Sequence, residues 1–149
     1  MIAFREARRE DVPAIVALLA DDMLGAAREA DDMAPYLDAF DRMAGEAGNT
    51  LIVGTSAAGG VIATYQITYI SGLSLRAARR AQIESVRVAG AWRGQGIGRL
   101  MFADAIKRAR SEGCTLIQLT MNAQRGDANR FYESLGFVPS HTGFKLALS

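Results

Sequence analysis

The stretch that decides the fold is Ala81-Gln82-Ile83-Glu84-Ser85-Val86-Arg87-Val88, followed after Ala89-Gly90-Ala91-Trp92 by Arg93-Gly94-Gln95-Gly96-Ile97-Gly98-Arg99. The first eight residues read as a β-strand, and from Ile97 the apolar period changes. Ile97, Met101, Ala105 and Ala109 recur every four residues, Phe102 and Ile106 widen that stripe, and Arg99, Lys107 and Arg110 fall opposite. This predicts an amphipathic helix, stopped by Gly113. A strand, a glycine-rich turn and a helix start therefore follow one another. The first amides of a helix have no intrahelical acceptor, and the helix dipole adds about half a positive charge there. Glycine lets those amides approach an anion with no Cβ in the way. Arg93 and Arg99 add directed charge. The turn reads as a diphosphate cradle. It is not a Walker loop, which needs Lys and Ser/Thr where Arg99 and Leu100 stand, and its GxGxG spacing is not the GxGxxG of a dinucleotide fold.

Within the strand, Ile83 shares its parity with Ser85 and Arg87, whereas Val86 and Val88 share theirs with Gln82 and Glu84. Apolar residues thus change face midway, which a strand with one buried face does not do. Either both faces are buried or a bulge resets the alternation, and a bulge suits a ligand slot. Glu84 sits in this apolar company as a candidate base, with raised proton affinity if desolvated; the plainer alternative is a pair with Arg87 or Arg80.

Upstream, residues 1–5 read as a short strand and Asp11 as the cap of a helix with Pro13 in its first turn. Residues 22–47 form a less regular, acidic helical region. Thr50–Thr55 and Val61–Ile70 are β-rich around the turn signal Ala57-Ala58-Gly59-Gly60. Residues 71–80 are a loop carrying Arg76, Arg79 and Arg80. Downstream, residues 114–121 read as a strand. Asp127 caps a short helix with Ala128, Phe131 and Leu135 on one face, closed by Gly136, and residues 137–139 with 143–148 are expected to form a last hairpin. Asn129 and Tyr132 lie close together on that helix, and a phenol there is a candidate proton donor against the plainer role of a half-buried tyrosine. Asn122, at the end of the preceding strand, binds a ligand amide or merely ends the strand. Hairpin strands first and a β-α-β-α section later imply a mixed sheet with helices on its faces.

The 149 residues fit one domain, 1–149, without repeats or a linker. One cysteine, Cys114, excludes an intrachain disulfide and a multi-cysteine zinc site, and one histidine, His141, excludes a histidine cage, so no metal is expected. Cys114 is read as core and His141 as surface or packing. The longest apolar run, Ala14 to Ala20, is too short for a membrane span, and the charged first eleven residues are no signal peptide; a cytoplasmic location is expected, with no membrane partner. Residues 1–60 hold 5 Lys+Arg against 11 Asp+Glu, and residues 61–149 hold 12 against 5. Two solvated faces explain that split, as does a basic half that meets an anionic ligand. The dispersed basic residues lack aromatic interleaving, so no nucleic-acid partner is expected.

The blocks Ile83–Val88, Arg93–Gly98 and Asn129-Arg130-Phe131-Tyr132-Glu133-Ser134-Leu135-Gly136-Phe137 resemble the GNAT family of N-acetyltransferases. The first two resemble its acetyl-CoA motif and the third its following helix. Leu119 to Leu148 is also similar to aminoalkylphosphonate acetyltransferases. The resemblance implies an α/β (α+β) fold with a mixed, mostly antiparallel sheet, splayed central strands and helices on both faces. It implies acetyl-CoA as cosubstrate, held at its pyrophosphate by Arg93, Gly94, Gln95, Gly96, Ile97, Gly98 and Arg99. It implies that the backbone of Val86, Arg87 and Val88 pairs with the pantetheine arm, and that Asn129, with Asn122, contacts the cofactor. Glu84 then accepts the proton of the amine and Tyr132 protonates the departing thiolate, with no acyl-enzyme. Ala89-Gly90-Ala91-Trp92 departs from the family, which often has a proline turn there.

The expected function is direct acetyl transfer to a primary amine of a small molecule. A protein N-terminal or lysine acetyltransferase and a catalytically silent acyl-CoA-binding module are the alternatives. Asp21, Asp22, Glu29, Asp31 and Asp32 offer an acidic wall, and Arg76, Arg79 and Arg80 a basic loop, which suits an amine that also bears an anionic group. Solvated charges, or a homodimer contact through the arginines, are the other uses of those residues.

Overall fold

The hairpin of β2 (Asn49–Thr55) and β3 (Val61–Ile70) is the framework on which the sheet grows. β-branched residues fill both arms, and Ser56 N donates to Gly60 O (3.0 Å) to close the turn, where Gly59 takes φ +91°. The computed structural model describes residues 1–122 and 127–149. These fall into two compact units, Met1–Gln118 and Leu119–Ser149.

In the first unit β1 (Ala3–Glu6) pairs antiparallel with β2, β2 with β3, and β3 with β4 (Arg80–Val88); β5 (Leu116–Leu119) completes the sheet order β1-β2-β3-β4-β5. The bonds that hold β5 to β4 involve Arg79, Arg80 and Gln82. Thr115 N donates to Arg79 O (2.9 Å), Arg80 to Gln118 Oε1 (3.0 Å), and Gln118 Nε2 to Gln82 Oε1 (2.7 Å).

Helices α1 (Val12–Ala20), α2 (Met23–Arg28) and α3 (Ala34–Ala44) come between β1 and β2, and α5 (Ile97–Ser111) lies between β4 and β5. Successive residues of a strand point to opposite faces. The Tyr65 hydroxyl donates to Asp104 of α5 (2.6 Å), while its neighbours Thr64 and Gln66 line a cavity with residues of α1 and α3. Helices therefore cover both faces, as expected. On the α5 side Ile52, Tyr65, Ile67, Ala81 and Ile83 are buried with Met101, Phe102, Ala105 and Ala109; on the other, Val12, Ile15, Val16 and Leu18 of α1 are buried. Gly113 ends the α5 segment at φ +75°, the left-handed conformation that glycine adopts at no steric cost. Asp104 also accepts from Arg108 Nε (2.8 Å), so one carboxylate ties sheet and helix together.

Two expected caps are different in the structure. Asp11 stands at the N-cap position of α1 without a side-chain cap bond. Its carboxylate instead accepts from Arg8 N (2.7 Å) and from Arg5 (2.7 and 3.0 Å), because the 3-10 turn Arg9–Asp11 aims it back at β1. Asp127 likewise precedes α6 (Ala128–Ser134) in helical backbone conformation, which points its side chain away from the amides it would cap. The loop after β3 contains a short segment, α4 (Ser74–Ala77), in which Leu75, Arg76 and Ala77 all have φ between 53° and 60°.

The second unit holds the end of β5 and α6, closed by Gly136 at φ +98°. The expected hairpin of residues 137–139 and 143–148 is not formed: both stretches lack strand structure, and Phe144, Leu146 and Leu148 are exposed. Alternating apolar residues make a strand only where a sheet edge receives their amides, so the pattern by itself did not suffice. No helix of the described residues is long and apolar enough to cross a membrane.

Candidate functional site

Strand β4 changes face through a bulge. Gln66 pairs with Glu84 and Thr64 with Arg87, so one residue of β3, Tyr65, lies opposite two of β4, Ser85 and Val86. Ser85 absorbs the extra residue with φ +55°. Of the two explanations for the parity change of the apolar residues, the structure has the bulge. Before it, Ile83 is buried on the α5 face and Glu84 lies beside Gln66 on the face of α1 and α3; after it, Val88 pairs with Ala63 on the α5 face. Glu84 is exposed, so burial does not supply the desolvation considered for it. Neither arginine considered as its partner is used on it. Arg80 reaches Gln118 and Ser74, and Arg87 lies 3.5 Å from Asp22.

The chain leaves β4 through Ala89, whose N donates to Ile62 O (2.7 Å), makes a 3-10 turn at Gly90–Trp92, and enters α5. Gly94 and Gly96 have φ of +75° and +81°, and a Cβ built on either would meet no atom within 4 Å. These glycines answer a conformational requirement, and the space in front of them is open. Gly96 is the N-cap of α5 and provides no side-chain cap, so the amides of Ile97, Gly98 and Arg99 head the helix without one. Arg93 braces the turn. It donates to Val88 O (3.1 Å) and to Asp21 O (3.2 Å), and lies 3.7 Å from the Asp21 carboxylate. Gln95 donates to Ala91 O (3.0 Å), while Arg99 is exposed on the first turn. An open, uncapped, positively polarised helix start fits an anionic pyrophosphate.

The charge split of the sequence is largely internal here. Asp21 and Asp22, in the turn between α1 and α2, meet Arg93 and Arg87, and Glu29 accepts from the Tyr36 hydroxyl (2.9 Å). The basic loop is also occupied. Arg79 donates to Glu112 O and Ser71 Oγ (both 2.9 Å) and lies over the Tyr69 ring, 5.8 Å from its centroid.

The second unit contains the other expected residues. Tyr132 is half-buried on α6 in edge contacts with Phe131 and Phe137, at centroid distances of 5.4 and 6.0 Å. Asn129, exposed one turn earlier, donates to Glu133 Oε1 at 3.5 Å, and Asn122 is exposed after β5. His141 is exposed beside Ser140. In the first unit, Cys114 is buried, and burial pushes its thiol up, which suits packing rather than nucleophilic chemistry.

A feature that sequence reasoning missed is a cavity of about 160 Å³ between α1, α3 and the sheet, with Tyr36, Phe40, Thr64, Gln66 and Ser85 among its walls. The available signal was the i, i+4, i+7 spacing of Tyr36, Phe40 and Met43.

The comparisons with known proteins agree with this geometry. The chain is 41% identical to a transcriptional regulator from Bacillus halodurans C-125, with a TM-score of 0.94 over 99% of this chain and 100% of that one. It shares its fold with a glucosamine-6-phosphate N-acetyltransferase from Arabidopsis thaliana, at 17% identity and a TM-score of 0.82 over 100% and 99% of the two chains. An aminoalkylphosphonate N-acetyltransferase from Salmonella typhimurium is 40% identical over 67 residues, which span 45% of this chain and 44% of that protein. The model of the acetyltransferase (GNAT) family matches residues 12–137. With strand bulge, glycine turn and uncapped helix start in the order that family uses, the chain belongs to the GNAT acetyltransferases, the acyltransferases that draw on acetyl-CoA.

Proposed function

We propose that residues 1–149 form one N-acetyltransferase domain that transfers acetyl directly to a primary amine of a small molecule. The observation that carries the reading is the uncapped, glycine-lined start of α5 immediately beyond the bulged strand that bears Glu84. Acetyl-CoA, when bound, supplies an acetyl group already activated as a thioester. The amides from Gly94 to Arg99 hold its pyrophosphate, with Arg99 adding charge at the first turn of α5. The backbone of Val86 to Val88, freed from regular alternation by the bulge, aligns the pantetheine arm and offers an N–H to the acetyl carbonyl. Asn122 and Asn129 contact the same arm. Glu84, exposed to water, takes the proton of the attacking amine, and Tyr132 gives its proton to the leaving sulfur. The bond formed joins the amine nitrogen to the carbonyl carbon, and the bond broken joins that carbon to sulfur. Support for a small acceptor comes from the Salmonella relative, whose name specifies an aminoalkylphosphonate.

The test is calorimetry of CoA binding. Gly98 lies inside α5, where a valine is sterically compatible with the backbone, so Gly98→Val blocks the cradle without the penalty of a positive φ. CoA affinity is expected to fall at least tenfold, with the far-UV circular dichroism unchanged. Unchanged affinity means that the pyrophosphate lies elsewhere.

A further inference from the structure

We propose that the cavity between α1, α3 and the sheet receives the carbon skeleton of the acceptor, and that the acceptor is therefore a primary amine on a compact apolar group. This inference rests on the acetyl-transfer reading and names its substrate class. The cavity of about 160 Å³ has walls of Ile15 and Leu19 from α1 and Tyr36 and Phe40 from α3, and no described residue lining it is charged. An apolar protein cavity of about 150 Å³ holds a benzene molecule, which sets the scale for the group admitted.

The polar groups of its floor do not alter this chemistry. Thr64 Oγ1 donates to Ile52 O, and Gln66 Nε2 donates to Asn49 Oδ1, each at 2.9 Å, so both donors are engaged within the fold. The Tyr36 hydroxyl donates to Glu29 Oε1 and accepts from Ala30 N (both 2.9 Å), which fixes the hydroxyl outside the cavity. A carboxylate or phosphonate placed here would lose its water and meet no cation. A small alkyl or aryl group would lose nothing but unfavourable hydration.

Position relates the cavity to the chemistry. Gln66 and Ser85 are both cavity residues, Gln66 is the cross-strand partner of Glu84, and Ser85 is its chain neighbour. Directly paired side chains start about 4.5–5.5 Å apart. A skeleton seated against Tyr36 and Phe40 thus presents its amine toward the carboxylate. The arginines of the β3–β4 loop, which would have gripped an anionic acceptor, are held on Glu112, Ser71, Ser74 and Gln118.

The experiment titrates benzylamine and aminomethylphosphonate into the protein by calorimetry and compares their acetylation. Ala39 is exposed and also contributes to the cavity, so Ala39→Leu narrows the entrance without entering the core. Phe40→Ala widens the wall. Benzylamine is expected to bind wild type, at least tenfold more weakly to Ala39→Leu, with acetyl-CoA affinity unchanged; Phe40→Ala should admit naphthylmethylamine. Its kcat/KM should exceed that of aminomethylphosphonate at least tenfold. Absent benzylamine binding, equal binding by Ala39→Leu, or a preference for the phosphonate overturns the proposal. Benzylamine binding that responds to Ala39→Leu, with no amine acetylated, upholds the cavity assignment and instead overturns acetyl transfer.

Discussion

Glu84 and Tyr132 concentrate the chemistry in two side chains whose surroundings differ. Glu84 is exposed on the bulged strand, open to the water through which a proton leaves, whereas Tyr132 is half-buried between two aromatic rings. Glu84→Gln keeps shape and removes the base, and Tyr132→Phe keeps the ring and removes the acid. Under the proposed roles each should lower kcat about 10²–10⁴-fold with CoA affinity retained, measured as free-thiol release beside calorimetry. Wild-type turnover in both would leave positioning alone to account for catalysis. Glu84 was legible in the sequence because a lone carboxylate in an apolar strand is conspicuous. Its exposure was not legible, because that depends on the face to which the bulge at Ser85 assigns it.

Among the elements, β4 and α5 were read nearly whole from their periods, and the parity change at Val86 is a one-residue bulge opposite Tyr65. Caps and edges were less legible. An aspartate before a helix is a local signal for a cap, but the Asp11 carboxylate has stronger partners in Arg5 and the Arg8 amide. The Arg5 hydrogen bond, opposed by burial and aided by the Arg8 amide, holds the Asp11 carboxyl below the usual carboxylate range. A depressed carboxyl contributes stability above its unfolded pKa and loses it as pH falls through the folded value. The urea midpoint of wild type should therefore drop as pH falls below about 4, and the gap to Asp11→Asn should close there. A gap that stays constant from pH 7 to pH 2 would remove the ion pair from the account of how β1 is pinned to α1.

For the whole molecule, ligand linkage provides the reading. A ligand that binds only the folded chain at a hundred times its Kd adds about 2.7 kcal/mol of stability. For a chain of this size that is roughly 5–10 °C in Tm. Acetyl-CoA should produce such a rise in wild type by scanning calorimetry, and Gly98→Val should abolish most of it. An equal rise in both proteins would place the cofactor away from the α5 start. The uneven charge of the two halves, which suggested an external partner, is used in part inside the molecule, where Asp21 and Asp22 meet Arg93 and Arg87.

The sequence by itself determined the strand–glycine turn–helix unit, the bulge as one of two options, and membership in the family, because each rests on residues within a few positions of one another. Gly94 and Gly96 announce positive φ wherever they stand, and the stripe of α5 announces its buried face. Tertiary structure alone decided the acceptor side. Its cavity gathers side chains from α1, α3, β2, β3 and β4, elements separated by up to some seventy positions, and no local pattern records that they meet. Tertiary structure also decided the fate of the loop arginines. Arg79 and Arg80 looked available in the sequence, but their partners Glu112 and Gln118 lie more than thirty residues downstream and approach only when β5 docks beside β4.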